Sequence, residues 1–190
     1  MGLQLLAGPS GQPVSVEVAK KHLRIAPGDT GQDDEVARIV RAATARAEKI
    51  TQRALVTQRW RLYLDAFPRG AIPIPRPPLK SVEVISYTDT LGTDRDLDEA
   101  SYLVNPFEML GQVTPAQGYC WPATAKQAMA VRVDFTAGYD AVPEDIVAAI
   151  LLLIGHFDQN REEVVTGTIA TRLPAGVEAL LSPYEVPGVP

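Results

Sequence analysis

The amino-acid sequence predicts an α+β fold: a helical core of two N-terminal helices, one long buried helix and a short C-terminal helix, carrying an inserted small antiparallel β-sheet. Three observations predict it. Apolar residues recur at helical spacing over 13–54, the period changes to two over 55–140, and a strongly apolar helix restarts over 141–163. With 190 residues, 46 % of them hydrophobic, the chain reads as a single domain over 1–190 that can bury a core without staples.

In chain order, "PVSVEVAKKHLRI" sets Val16, Ala19 and Leu23 on one face, with Ser15 as N-cap and Pro27-Gly28 as the stop. In "DDEVARIVRAATARAEKITQR", Val36, Ile39, Val40, Ala43, Ala47 and Ile50 form one stripe. Asp33, Asp34 and Glu35 crowd its first turn, where carboxylates favour the helix dipole. "TQRWRLYLD" and "AVRVDFTAG" then alternate apolar and charged residues as half-buried strands do. Weaker strand signals in "SVEVISY" and "SYLVN" flank the turn-like "DTLGTD". Pro73, Pro75, Pro77 and Pro78 cannot donate ladder hydrogen bonds, so "IPIPRPPLKS" belongs to an extended connector or a sheet edge. Gly138 is read as a turn that larger residues cannot adopt. In the helix that follows, Pro143 suits the first turn. Its apolar residues, Ile146, Val147, Ile150 to Ile154 and Phe157, surround the axis, so it is expected to be buried on all sides. Part of that cover comes from this chain, and either internal packing or a second copy supplies the rest. Residues 164–190 read as a mobile C-terminal segment holding the helix-like "PAGVEALLSPY".

Composition narrows function. A net charge of −5 argues against general binding to a nucleic-acid backbone, so any basic feature is local. The longest apolar run is too short for a bilayer, and "MGLQLLAGPSGQP" lacks a basic n-region, so neither membrane nor export is expected. The single Cys120 excludes an internal disulfide and reads as a small buried hydrophobe. His22 and His156 are the only histidines. His156 with Asp158 and Glu162 is the one acid–base candidate, set against the plainer reading of a helix-end histidine facing a neighbour. There is no zinc motif, phosphate loop or nucleophile elbow, so the expectation is a non-enzyme with no catalytic, cofactor-binding or metal residues. Arg38, Arg41, Arg46, Lys49 and Arg53 fall within an arc of about 140° opposite the apolar stripe. They read either as a solvated face or as a basic strip that meets an acidic surface or passing DNA without reading bases.

Several pieces occur in a telling order. They are the Trp60 strand running into Phe67-Pro68, Pro78-Leu79-x-x-Val82 followed by Tyr87-x-Asp89-x-x-Gly92, and Trp121-Pro122. Ala137-Gly138-Tyr139 follows, with Pro143 leading into a helix that ends at Asn160-Arg161-Glu162. From about residue 14 to 163 the chain resembles the head-tail connector (adaptor, head-completion) family of tailed bacteriophages and phage-like gene transfer agents.

The resemblance implies a ring of roughly twelve copies beneath the portal. Such a ring extends the DNA channel and offers a platform for a tail-side stopper or completion protein. It implies no cofactor, a place in the virion at the head-tail junction, and assembly in the host cytoplasm. DNA slides through such a channel without sequence readout, which an acidic chain suits. Leu152, His156 and Arg161 are the candidate subunit contacts, and Leu180, Leu181 and Tyr184 the candidate portal-binding tail. The alternatives are a tail terminator or stopper of the same particle and an enzyme built on His156.

Overall fold

The structure, a computed structural model, describes residues 1–160 and 174–186. The elements run β1 (Gly2–Ala7), α1 (Val16–His22), α2 (Asp33–Thr51), β2 (Gln58–Leu64), β3 (Ile72–Ile74) and β4 (Leu79–Thr88). They continue with β5 (Asp94–Asp96), β6 (Tyr102–Asn105), β7 (Gly111–Pro115), β8 (Val131–Ala137), α3 (Glu144–Gln159) and α4 (Ala175–Leu181). The expectation of a small sheet inserted into a helical core is overturned. Among the described residues, eight strands form two antiparallel sheets, one five-stranded in the order β1-β2-β8-β4-β5 and one three-stranded in the order β3-β7-β6. The error has a physical source: β1 is followed in sequence by two helices, yet it pairs with β2 from Gly2↔Tyr63 to Ala7↔Arg59. No local period reports so distant a partner.

The chain divides into two compact units. Residues 1–10 and 56–140 make the β unit, and 11–55 with 141–160 and 174–186 make the helical unit. In the β unit, β8 is the central strand, flanked by β2 and β4. Leu62, Ile85, Val131, Val133 and Phe135 are fully buried there. The alternate residues of β2 and β8 form a charged row. Arg61 and Asp134 sit directly opposite each other and pair bidentately at 2.5 and 2.7 Å. Arg132 pairs with Asp94 at 2.9 Å. Pro73 lies in β3, an edge strand, where a missing N–H costs no ladder bond. Trp60 is half-buried, with the Arg76 guanidinium 5.5 Å from its ring centre.

The turn from β4 into β5 is organised by one carboxylate. Asp89 accepts from Leu91 N at 2.9 Å, Thr93 N at 3.0 Å and Arg95 Nε at 2.6 Å. The Arg95 hydrogen bond first, then that from Thr93 N, holds its carboxyl below the usual range. Asp94 is lowered too, by Thr88 Oγ1 first and then Arg132. A depressed folded-state pKa contributes stability above the unfolded value, near 3.9, which is lost as pH falls through the lower folded value. The turn is therefore expected to hold at neutral pH and loosen only below about pH 4. Hydrogen exchange at Leu91 and Thr93 checks this. Protection that persists in Asp89→Asn down to the same pH would remove Asp89 as the cause.

In the helical unit, the N-cap read at Ser15 is present, its Oγ accepting from Val18 N at 3.2 Å. Helix α2 buries Val36, Ile39, Val40, Ala43 and Ala47 of the predicted stripe, while Ile50 near its end is half-buried. Thr44 and Thr51 enter the same face because each hydroxyl bonds the carbonyl four residues earlier, Val40 O at 2.8 Å and Ala47 O at 2.9 Å. Helix α3 packs against α1, α2 and α4, burying Ile146, Ala149, Ile150, Leu153, Ile154 and Phe157. It is not buried on all sides within its unit. Ala148, Leu152 and Gln159 remain exposed along one strip, Leu152 at 41 %. Helix α4 buries Val177 and Leu181, each contributing roughly 1.5–3 kcal/mol. Two further bonds, Arg53 Nε to Tyr184 O at 2.6 Å and Val186 N to Thr51 O at 3.1 Å, tie the end of this segment to the C-terminal end of α2.

Candidate functional site

The residues singled out from the sequence occupy three places in the helical unit. Leu152 and His156 are one helical turn apart on the open strip of α3, and Gly176 of α4 lies beside the Leu152 side chain. Asn160 closes the helix, its Nδ2 donating to His156 O at 2.9 Å and lying 3.4 Å from His156 Nδ1. Arg161 and Glu162 lie outside the described residues. Asp158 is two residues from His156 on the same helix, so about 200° of rotation separates them. That spacing is unsuited to an acid–base pair. Among the described residues no group of three or more His, Cys, Asp or Glu side chains can hold a metal, and no helix is long and apolar enough to cross a membrane.

The basic strip is not a uniform row. Arg38 is committed to Glu35, at 2.7 and 3.0 Å, and this pair raises its pKa above the ordinary value. Arg53 is used internally on the Tyr184 carbonyl. Arg46 is half-buried, with a buried Nε lacking a hydrogen-bond partner, while Arg41 and Lys49 face solvent. Two freely exposed cations carry little non-specific affinity for a polyanion. Of the C-terminal candidates, Leu181 is fully buried in the helical unit, whereas Leu180 and Tyr184 are half-buried. The Tyr184 hydroxyl donates to Asp145 Oδ2 at 3.3 Å.

The β unit carries exposed apolar residues that the sequence reading missed. The β6–β7 hairpin ends in a tip over 106–110, where Phe107 is 95 % and Met109 57 % exposed, with Leu103 of β6 at 60 %. The available signal was a Phe and a Met inside a turn-length segment, where polar residues are the rule. A second feature is a groove of about 370 Å³ formed by the segments 66–69 and 120–124. Phe67 and Trp121 stack there with ring centres 5.0 Å apart, and Trp121 Nε1 donates to Gly70 O at 2.8 Å. Cys120 lines this groove and is exposed, not the buried hydrophobe that the sequence suggested.

No family model matches the chain, and no curated protein does. Solved structures do. The chain shares its fold with chains of gene transfer agent particles. It is 26 % identical to a chain of the virion of the native particle, covering 100 % of this chain and 97 % of that one with a TM-score of 0.78. A chain from the neck of the empty particle, computed with C6 symmetry, is 26 % identical over the same shares with a TM-score of 0.79. A chain from the neck of the native particle, computed with C12 symmetry, is 24 % identical over the same shares with a TM-score of 0.76, which shows common fold alone.

Proposed function

We propose that this chain is a structural protein of the head-tail neck of a gene transfer agent or phage-like particle. In the finer reading it is the adaptor that forms a ring under the portal. The observation that carries the proposal is end-to-end similarity to particle chains, 100 % of this chain against 97 % of theirs at 26 % identity. The C6 symmetry of the empty-particle neck determination supports a ring. A net charge of −5 and a basic strip reduced to Arg41 and Lys49 suit a channel wall along which DNA slides. In this reading the open strip of α3 faces a neighbouring copy through Leu152 and His156. Leu180 and Tyr184 meet the portal, and Leu181 supports them from the core. A tail-side stopper or completion protein docks below.

Quantitative peptide mass spectrometry of purified particles tests the proposal. A ratio to the portal protein near one, or a small whole-ring multiple, supports a ring at the vertex, and absence from the particles sinks the neck reading. Within that reading, Leu152→Asp is expected to abolish incorporation. Its folding cost is about 1 kcal/mol, because the side chain already meets solvent. A folded Leu152→Asp chain that enters particles at the wild-type ratio removes α3 from the interface.

A further inference from the structure

The exposed tip and the aromatic groove lie at opposite ends of the three-stranded sheet. In the β6–β7 ladder, Asn105↔Gln112 marks the tip end and Tyr102↔Pro115 the other. Strand β3 runs antiparallel to β7 with Ile74↔Gly111, so Gly70, two residues before Ile72, extends toward the Pro115 end. Trp121 is bonded to that Gly70. The five residues of β7 set the two features roughly 17 Å apart along the strands.

The two features also match chemically. The tip offers two exposed apolar side chains, Phe107 and Met109, with Glu108 between them. The groove offers the faces of Phe67 and Trp121 with Arg69 at its rim. Glu108 and Arg69 are both exposed, and neither forms an ion pair among the described residues. A volume of about 370 Å³ is near the lower end for small-ligand sites, roughly 300 Å³ upward, and so accepts a side chain or two. A projection at one end of a unit and its receptor at the other make a heterologous contact, the kind that closes into a ring when the rotation divides the circle.

We infer that the 106–110 tip of one copy seats in the Phe67–Trp121 groove of the next, with Phe107 against the rings and Glu108 facing Arg69. The inference rests on the neck-ring reading and adds to it the surface that joins neighbours.

The native Cys120 thiol in the groove supplies the test. Particles are produced with Met109→Cys, which leaves Phe107 and Glu108 in place, and are oxidised with copper-phenanthroline. The expected result is a ladder of dimers, trimers and higher multiples on a non-reducing gel. Reductant should collapse it, and adding Cys120→Ala should abolish it. Incorporation at the wild-type ratio with no ladder, or with dimers alone, overturns the head-to-tail contact and leaves the neck reading standing, with a tail-side protein as the tip's partner. Absence of the unaltered chain from particles overturns the neck reading itself. Should Cys at 109 block incorporation, the charge pair reads the same contact. Glu108→Arg is expected to lower incorporation about tenfold, and Arg69→Glu in the same chain to restore it. Failure of that rescue overturns the pairing.

Discussion

Gly138→Ala is expected to destabilise the protein by about 2–6 kcal/mol. Gly138 has φ +128°, a region that L side chains rarely adopt. A Cβ there meets backbone rather than a movable side chain, lying 2.4 Å from Val56 O, 2.5 Å from Val56 C and 2.7 Å from Thr57 N. On the other side, Gly138 N donates to Pro78 O at 2.9 Å, so the residue cannot move away without breaking that bond. Strain of about 1–3 kcal/mol adds to an overpacking cost of about 1–3 kcal/mol. Denaturant unfolding of the purified chain measures the sum, and a loss under about 0.5 kcal/mol would show that the segment entering β2 yields easily. Gly176→Ala is the matched control. Its Cβ meets only Leu152 Cδ1, at 3.4 Å, in ordinary van der Waals contact.

Asp134→Ala is expected to cost about 2–3 kcal/mol. Asp134 lies on the central strand β8 and is 6 % exposed, and it accepts both bonds of the Arg61 fork. The Asp134 hydrogen bond keeps the Arg61 guanidinium protonated well above its ordinary value. Removing the carboxylate strands that cation, although its side chain is 34 % exposed and water recovers part of the loss. The reverse change, Arg61→Ala, leaves the better-buried group unpaired and is expected to cost more, about 3–5 kcal/mol. Changing both to apolar residues of similar size is expected to recover most of the stability, since a satisfied apolar pair needs no desolvation. The coupling energy of that double-mutant cycle decides the matter. A value near zero would mean that the charged row merely tolerates burial.

The candidate surfaces were legible to unequal degrees. Leu152 stood out because an all-apolar helix must be covered, and α2 and α4 do cover most of α3 while leaving Leu152 open. The basic arc was visible as spacing, but spacing carries no information on partners. Arg53 turned out to hold the Tyr184 carbonyl, 131 residues away in sequence. The tip around Phe107 and the groove at Trp121 escaped notice because each is made by loops, where no period marks burial or exposure.

The elements legible from the residues alone are those whose period is their own: the buried stripe of α2, the cap of α1, the alternation of β2 and β8, and the Gly138 turn. Each follows from φ/ψ preference and side-chain direction within a few residues. Long-range pairing is what makes "GLQLLA" a strand, joins the short segments "IPI" and "GQVTP", and brings five strands into one sheet. A strand's hydrogen bonds and its buried face are supplied by distant residues. Its existence is therefore settled by partners that no local pattern can name.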